Sequence, residues 1–115
     1  MSRIERINSE LAKQVSIVIN QGVSDPRVKG IISVMRVSVD TELTYAKVYV
    51  SILGANGQEN QVIEGLNHAE GYIKSKLVKM IRLRKMPSLH FIYDDSMVYS
   101  EYINKRIQEV EGENK

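Results

Sequence analysis

The 115-residue chain contains no cysteine, and that one absence removes disulfide bridges, thiolate zinc sites and cysteine nucleophiles together. A reducing cytoplasm suits such a composition. Long apolar runs are also missing. None approaches the roughly eighteen residues of a membrane span, and Ser2 to Gln21 is polar and amphipathic, unlike a signal peptide. The expectation is a cytoplasmic protein that engages no membrane. Catalytic signatures are absent as well: there is no Gly-rich phosphate loop with its lysine, no His-Glu-x-x-His and no serine motif with a positioned base. The two histidines, His68 and His90, are far apart in the chain, one beside a helical apolar stripe and one on the outer face of a strand. A structural role explains each more simply than catalysis or metal binding. Asp94 and Asp95 form an acidic pair that could hold magnesium, but helix capping explains them better. The chain therefore reads as a protein without catalytic residues, cofactor or metal.

What is present is an ordinary globular composition, 43% hydrophobic and 26% charged, which fits one domain over residues 1–110 and a flexible tail at 111–115. The charge is unevenly placed. Of a net +2, residues 71–87 contribute +6 through Lys74, Lys76, Lys79, Arg82, Arg84 and Lys85 with no acid among them, so the remainder carries −4. A solvated helix face would explain a few lysines. A run of six without an acid, next to an acidic remainder, favours an anionic polymer as partner.

Ser2 and Glu5 have capping-box spacing ahead of Ile4, Ile7, Leu11, Val15 and Val18, which predicts a helix from about Arg3 to Asn20 stopped by Gly22. Asp25-Pro26-Arg27 and Gly30 mark a surface turn. Ile32 to Val39 is rich in β-branched residues but alternates poorly in its first half, as a strand covered on both faces or interrupted by a bulge would. Asp40 to Thr44 reads as a hairpin connection. In the second strand Ala46, Val48, Val50 and Ile52 face the core, while Tyr45, Lys47, Tyr49 and Ser51 face outward. The outward tyrosines pack cross-strand in the plain reading, with base stacking as the alternative. After the loop at 54–57, Val62, Leu66, Ala69, Ile73, Leu77 and Met80 form a stripe that keeps helical phase through Gly71. A straight helix from Asn60 to Leu83 would span roughly 36 Å, long for a small domain, so a bend at Gly71 is expected. On this reading Gly71→Val should damage the fold or its binding through the bend, and Lys76, Lys79 and Arg82 should share one solvent face. Met86-Pro87 closes the helix pair. Leu89 to Tyr93 gives a third strand, and Asp94 to Ser96 caps a last helix with Tyr99, Ile103, Ile107 and Val110 on its buried stripe.

Four motifs then occur in order: Asp25-Pro26-Arg27, Tyr45-Ala46-Lys47-Val48-Tyr49-Val50-Ser51, the run from Leu66 to Lys74, and Leu83 to Phe91 followed by Asp94. Together they make the chain, from about Arg3 to Val110, resemble the ribosome-binding factor A family. The resemblance implies an α+β, type II KH-like domain of order αββααβ with a C-terminal helix, its three-stranded sheet covered by helices on one face. It implies that an interhelical Ala-x-Gly kink, here Ala69-Glu70-Gly71, stands where RNA-binding KH domains have Gly-x-x-Gly. It further implies a bacterial cold-shock and assembly factor that binds the small ribosomal subunit and its rRNA late in maturation and assists 5′-end processing. A monomer is expected, and whether an assembly GTPase is a further partner is left open by the sequence. The expected RNA-binding residues are Ala69, Glu70, Gly71, Lys74, Lys76, Lys79, Arg82, Arg84 and Lys85. Lys74 stands where the family commonly has arginine, and Tyr99 near where it often has glycine. A generic KH-like RNA-binding module, or an adaptor docking an acidic protein through the basic helix, remains an alternative reading of the same charges.

Overall fold

The computed structural model describes residues 2–96. Its first element, α1 (Arg3–Gln21), begins where the capping spacing places it, with the Ser2 hydroxyl accepting the Glu5 amide at 3.1 Å. The stripe Ile7, Leu11, Val15, Val18 and Ile19 is buried. The helix stops at Gly22, whose φ of 111° favours glycine and whose amide donates to the Ile19 carbonyl at 3.0 Å.

Strands β1 (Ile31–Val39) and β2 (Tyr45–Leu53) form the antiparallel hairpin. The irregular first half of β1 is a bulge: the register shifts between Val34 and Arg36, leaving Met35 unpaired. That extra residue changes the phase, so Ile32 before it and Val37 and Val39 after it all point to the core. In the connecting turn, Asp40 accepts the amides of Thr44 at 2.7 Å and Tyr45 at 3.1 Å as well as the Thr44 hydroxyl, and these bonds hold its carboxyl below the usual range. Strand β2 alternates as expected, with Ala46, Val48, Val50 and Ile52 buried.

Two helices follow, α2 (Glu59–His68) and α3 (Glu70–Met80), then β3 (Ser88–Tyr93), which pairs in parallel with β2 from Tyr45↔Ser88 to Val50↔Tyr93. The sheet order is β1-β2-β3, with the most uniformly buried strand in the centre. Helices lie over its apolar face, where Leu11, Val15, Val48, Val50, Leu66, Ile73, Leu77 and Phe91 form one continuous core. The expected αββααβ order is thus the observed one. The helix expected over Tyr99, Ile103, Ile107 and Val110 and the tail at 111–115 lie outside the described residues.

Two asparagines complete the sheet edges. Asn8 of α1 accepts the Val39 amide at 3.0 Å on β1. Asn67 of α2 bonds both backbone groups of Phe91 on β3, accepting its amide at 2.8 Å and donating to its carbonyl at 3.2 Å. A carboxamide carries one acceptor and one donor group, so it can meet a strand residue as another strand would. On the opposite face the outward aromatics are taken up in cross-strand pairs: Tyr45 stacks on His90, and the Arg36 guanidinium lies 4.0 Å from the Tyr49 ring centre.

Candidate functional site

The long apolar stripe is broken at Ala69, two residues before the expected bend. Ala69 alone leaves helical geometry, with φ −86° and ψ 7°. Its amide still bonds the carbonyls of Gly65 and Leu66, and its carbonyl still accepts from Ile73, so hydrogen bonding bridges the break. Gly71 sits in the first turn of α3 in ordinary helical backbone, and a Cβ added there would meet no atom of another described element within 4 Å. It is therefore not the hinge. Among the described residues nothing demands glycine at 71, so the expected bend there, the ground for expecting Gly71→Val to damage the fold, is corrected to Ala69.

The glycine that the packing does require is Gly65. A Cβ there would stand 2.9 Å from Val28 Cγ2, 3.1 Å from Arg27 Cβ and 3.2 Å from Asp25 Oδ1, so its absence lets α2 lie directly on the Asp25–Val28 turn. That turn is held by Asp25, whose two oxygens receive the Arg27 amide at 2.9 Å and the guanidinium at 3.0 and 2.8 Å. His68 Nδ1 at the end of α2 lies 3.2 Å from the same carboxylate. The Arg27 bonds, foremost the guanidinium, hold the Asp25 carboxyl well below the usual carboxylate range. What sequence spacing marked as a surface turn is therefore clamped to the interhelical junction. Between them opens a cleft of about 410 Å³, walled by Val23, Pro26, Ala69, Gly71 and Tyr72.

The basic residues divide into two groups. Lys74, Lys76 and Lys79 are on α3, the first half-buried and the others exposed. Arg82, Arg84 and Lys85 are not helical, because α3 ends three residues earlier than expected. Ile81 turns extended, with φ −124° and ψ 132°, and from there Ile81 and Leu83 alternate inward against the core. Period-two burial cannot be met by a helix, so the segment 81–87 is a loop that presents Arg82, Arg84 and Lys85 to solvent. Arg82 consequently does not share a helical face with Lys76 and Lys79. Among the described residues none of the six cations makes an ion pair. Glu70 is half-buried in the first turn of α3.

Tyr72 belongs to both the cleft and the cationic surface. Its ring is exposed, and the Lys76 ammonium, one helical turn on, lies 5.6 Å from the ring centre. The i, i+4 spacing of Tyr72 and Lys76 was the available sequence signal for this pair. Nothing local pointed to the part played by Asp25, Pro26 and Gly65.

The family model for ribosome-binding factor A matches residues 3–107. The chain belongs to the ribosome-binding factor A family. Ribosome-binding factor A of Acetivibrio thermocellus is 39% identical over all 115 residues, covering 94% of that relative. The crystal structure of ribosome-binding factor A from Thermus thermophilus superposes with a TM-score of 0.70 over 78% of this chain and 93% of that one, at 22% identity. A homology model of the Thermus thermophilus factor, fitted into a cryo-EM map of its complex with the 30S subunit, superposes with a TM-score of 0.66 over 80% of this chain and 96% of that one, also at 22% identity. The superposed structures show the same fold.

Proposed function

We propose that this chain is a non-enzymatic assembly factor that binds the small ribosomal subunit and its rRNA late in maturation and supports 5′-end processing. The observation that carries the reading is the placement of Lys74, Lys76, Lys79, Arg82, Arg84 and Lys85 on one stretch directly after the junction, without an ion pair among the described residues, in a chain of this family. The Thermus thermophilus relative fitted into a 30S map supports the choice of partner.

The physical mechanism is phosphate contact along a cationic track. Ammonium and guanidinium groups that replace condensed counterions on RNA supply affinity without reading sequence. Small residues at Ala69 and Gly71 leave the backbone of the junction open to close approach, and the first turn of α3 adds its positive dipole end there, with Glu70 setting the limit on how near a phosphate sits. Lysine at 74 offers a point charge and no bidentate fork. Selectivity for the subunit would come from rRNA shape. The factor acts as a monomer in the cytoplasm, with an assembly GTPase as a further partner.

Sedimentation through sucrose gradients with mature and immature small subunits tests the proposal. Co-migration with subunits, preferentially immature ones, is expected. Migration at the top of the gradient in both cases would refute it.

A further inference from the structure

The cleft at the α2–α3 junction has a chemistry that phosphate binding alone does not use. Its volume of about 410 Å³ falls within the roughly 300–1,000 Å³ of small-ligand sites. Its walls include the apolar side chains of Val23, Pro26 and Ala69 and the ring of Tyr72, which is 46% exposed. An exposed aromatic ring beside a cavity offers a planar surface, and Lys76, 5.6 Å from that ring, offers a cation at the same place. A nucleotide presents the complementary pair, a flat base joined to an anionic phosphate.

The carboxylate of Asp25 in the cleft would oppose such a ligand if its charge were free. It is not, because both oxygens already accept from Arg27, at 2.8 to 3.0 Å, and His68 Nδ1 adjoins one of them. The charge around the cleft is then divided: Glu70 stands between Ala69 and Gly71 on one side of Tyr72, and Lys74 and Lys76 lie directly beyond it on α3, so a phosphate is favoured on the lysine side. At Gly71 the wall has no side chain, and a Cβ would meet no atom of the described residues within 4 Å. Glycine there enlarges the cleft, and no contact among the described residues requires it.

We propose that this cleft holds a single unpaired nucleobase of the bound rRNA, stacked on Tyr72, with the neighbouring phosphate held by Lys76. This rests on the rRNA-binding reading above and adds to it a site for one exposed base. The base must be unpaired, because within an A-form duplex both faces of each base are covered by its neighbours and no ring is free to stack on a side chain. Mostly apolar walls with an occupied carboxylate distinguish poorly among bases, so the site selects single-stranded over double-stranded RNA more than one sequence over another.

The test uses the 115-residue chain with three probes: a ten-nucleotide single-stranded RNA, the same strand annealed to its complement, and purified small subunits. The single strand is expected to bind more tightly than the duplex. Tyr72→Leu should weaken single-strand binding by roughly 5- to 150-fold, the range for losing one base–aromatic stack, while Tyr72→Phe retains it. The salt dependence separates stacking from charge. Tyr72→Leu should leave the slope of log K against log salt unchanged, whereas Lys76→Ala should lower it by about 0.7. Gly71→Leu should block the single strand without lowering the melting temperature. Equal affinity of wild type and Tyr72→Leu for the single strand overturns the proposal, as does a duplex bound as tightly as the single strand. Loss of subunit association in Tyr72→Leu with RNA binding intact would place a protein side chain in the cleft and equally overturn it. If Lys76→Glu with Lys79→Glu abolishes subunit association and Tyr72→Leu does not weaken it, the nucleobase site alone falls. If neither variant affects association, the rRNA-binding reading falls with it.

Discussion

Gly65 and Gly71 both sit in helices with ordinary backbone angles, and replacing each by alanine should shift stability in opposite directions. Within a helix, alanine is favoured over glycine by roughly 0.5–1 kcal/mol because it restricts the unfolded chain more and loses less on folding. At Gly71 nothing among the described residues opposes that gain, since an added Cβ meets none of their atoms within 4 Å. Gly71→Ala should therefore stabilise by a few tenths to about 1 kcal/mol, its place in the first turn tempering the effect. At Gly65 the same methyl would lie 2.9 Å from Val28 Cγ2, with Arg27 and Asp25 atoms just beyond. Overpacking of that kind costs about 1–3 kcal/mol, so the net result should be a loss of about 1 kcal/mol or more. For a chain of this length each kcal/mol moves the melting temperature by about 3–6 °C, well within reach of calorimetry or thermal circular dichroism. The cause is checked by a double-mutant cycle. In a Val28→Ala background the nearest clash is gone, and Gly65→Ala should cost much less. Stabilisation by Gly65→Ala equal to that by Gly71→Ala would refute the close-packed turn. An undiminished cost in the Val28→Ala background would refute the assigned contact.

Three further outcomes are expected. Asn67→Ala leaves the Phe91 amide and carbonyl without their side-chain partner and should lower stability by about 2 kcal/mol, measured as a lower urea midpoint at unchanged slope, whereas Asn67→Asp keeps the acceptor and should lose less. Because Arg27 depresses the folded-state pKa of Asp25, its stabilisation is present above the unfolded carboxylate value of about 3.9 and is lost as pH falls below it. Asp25→Asn should accordingly show a shallower decline in urea midpoint between pH 5 and pH 2 than the wild type, and equal declines would contradict the clamp. Lys76→Glu with Lys79→Glu should abolish co-sedimentation with small subunits while leaving the melting transition within a few degrees of wild type, since both residues are exposed. The same variant binding subunits normally at physiological salt would remove the cationic track from the mechanism.

Local pattern decided much of this protein. The capping spacing at Ser2, the stripe of α1, the strict alternation of β2 and the in-phase apolar residues from Val62 to Leu77 each report a period that only one backbone geometry satisfies, and the observed elements agree. The charge imbalance of residues 71–87 was likewise legible, because charge needs no neighbour to be counted. Other features depended on what covers what, which no period reports. A glycine in a helical stripe looks alike whether it faces a turn, as Gly65 does, or open space, as Gly71 does. Helix α3 stops at Met80 because Ile81 and Leu83 find the core in extended form, so half of the basic run lies on a loop. Asn67 serves Phe91 across twenty-four residues, and Asp25 reaches His68 across forty-three. Those contacts exist only once the parallel β2–β3 pairing has brought α2 beside β3 and the packing at Gly65 has laid the turn against it. The sequence alone determined the elements, the core faces and the sign of the charged surface after the junction. Tertiary packing decided where the helix breaks, and it set Tyr72 between a cleft and a cation.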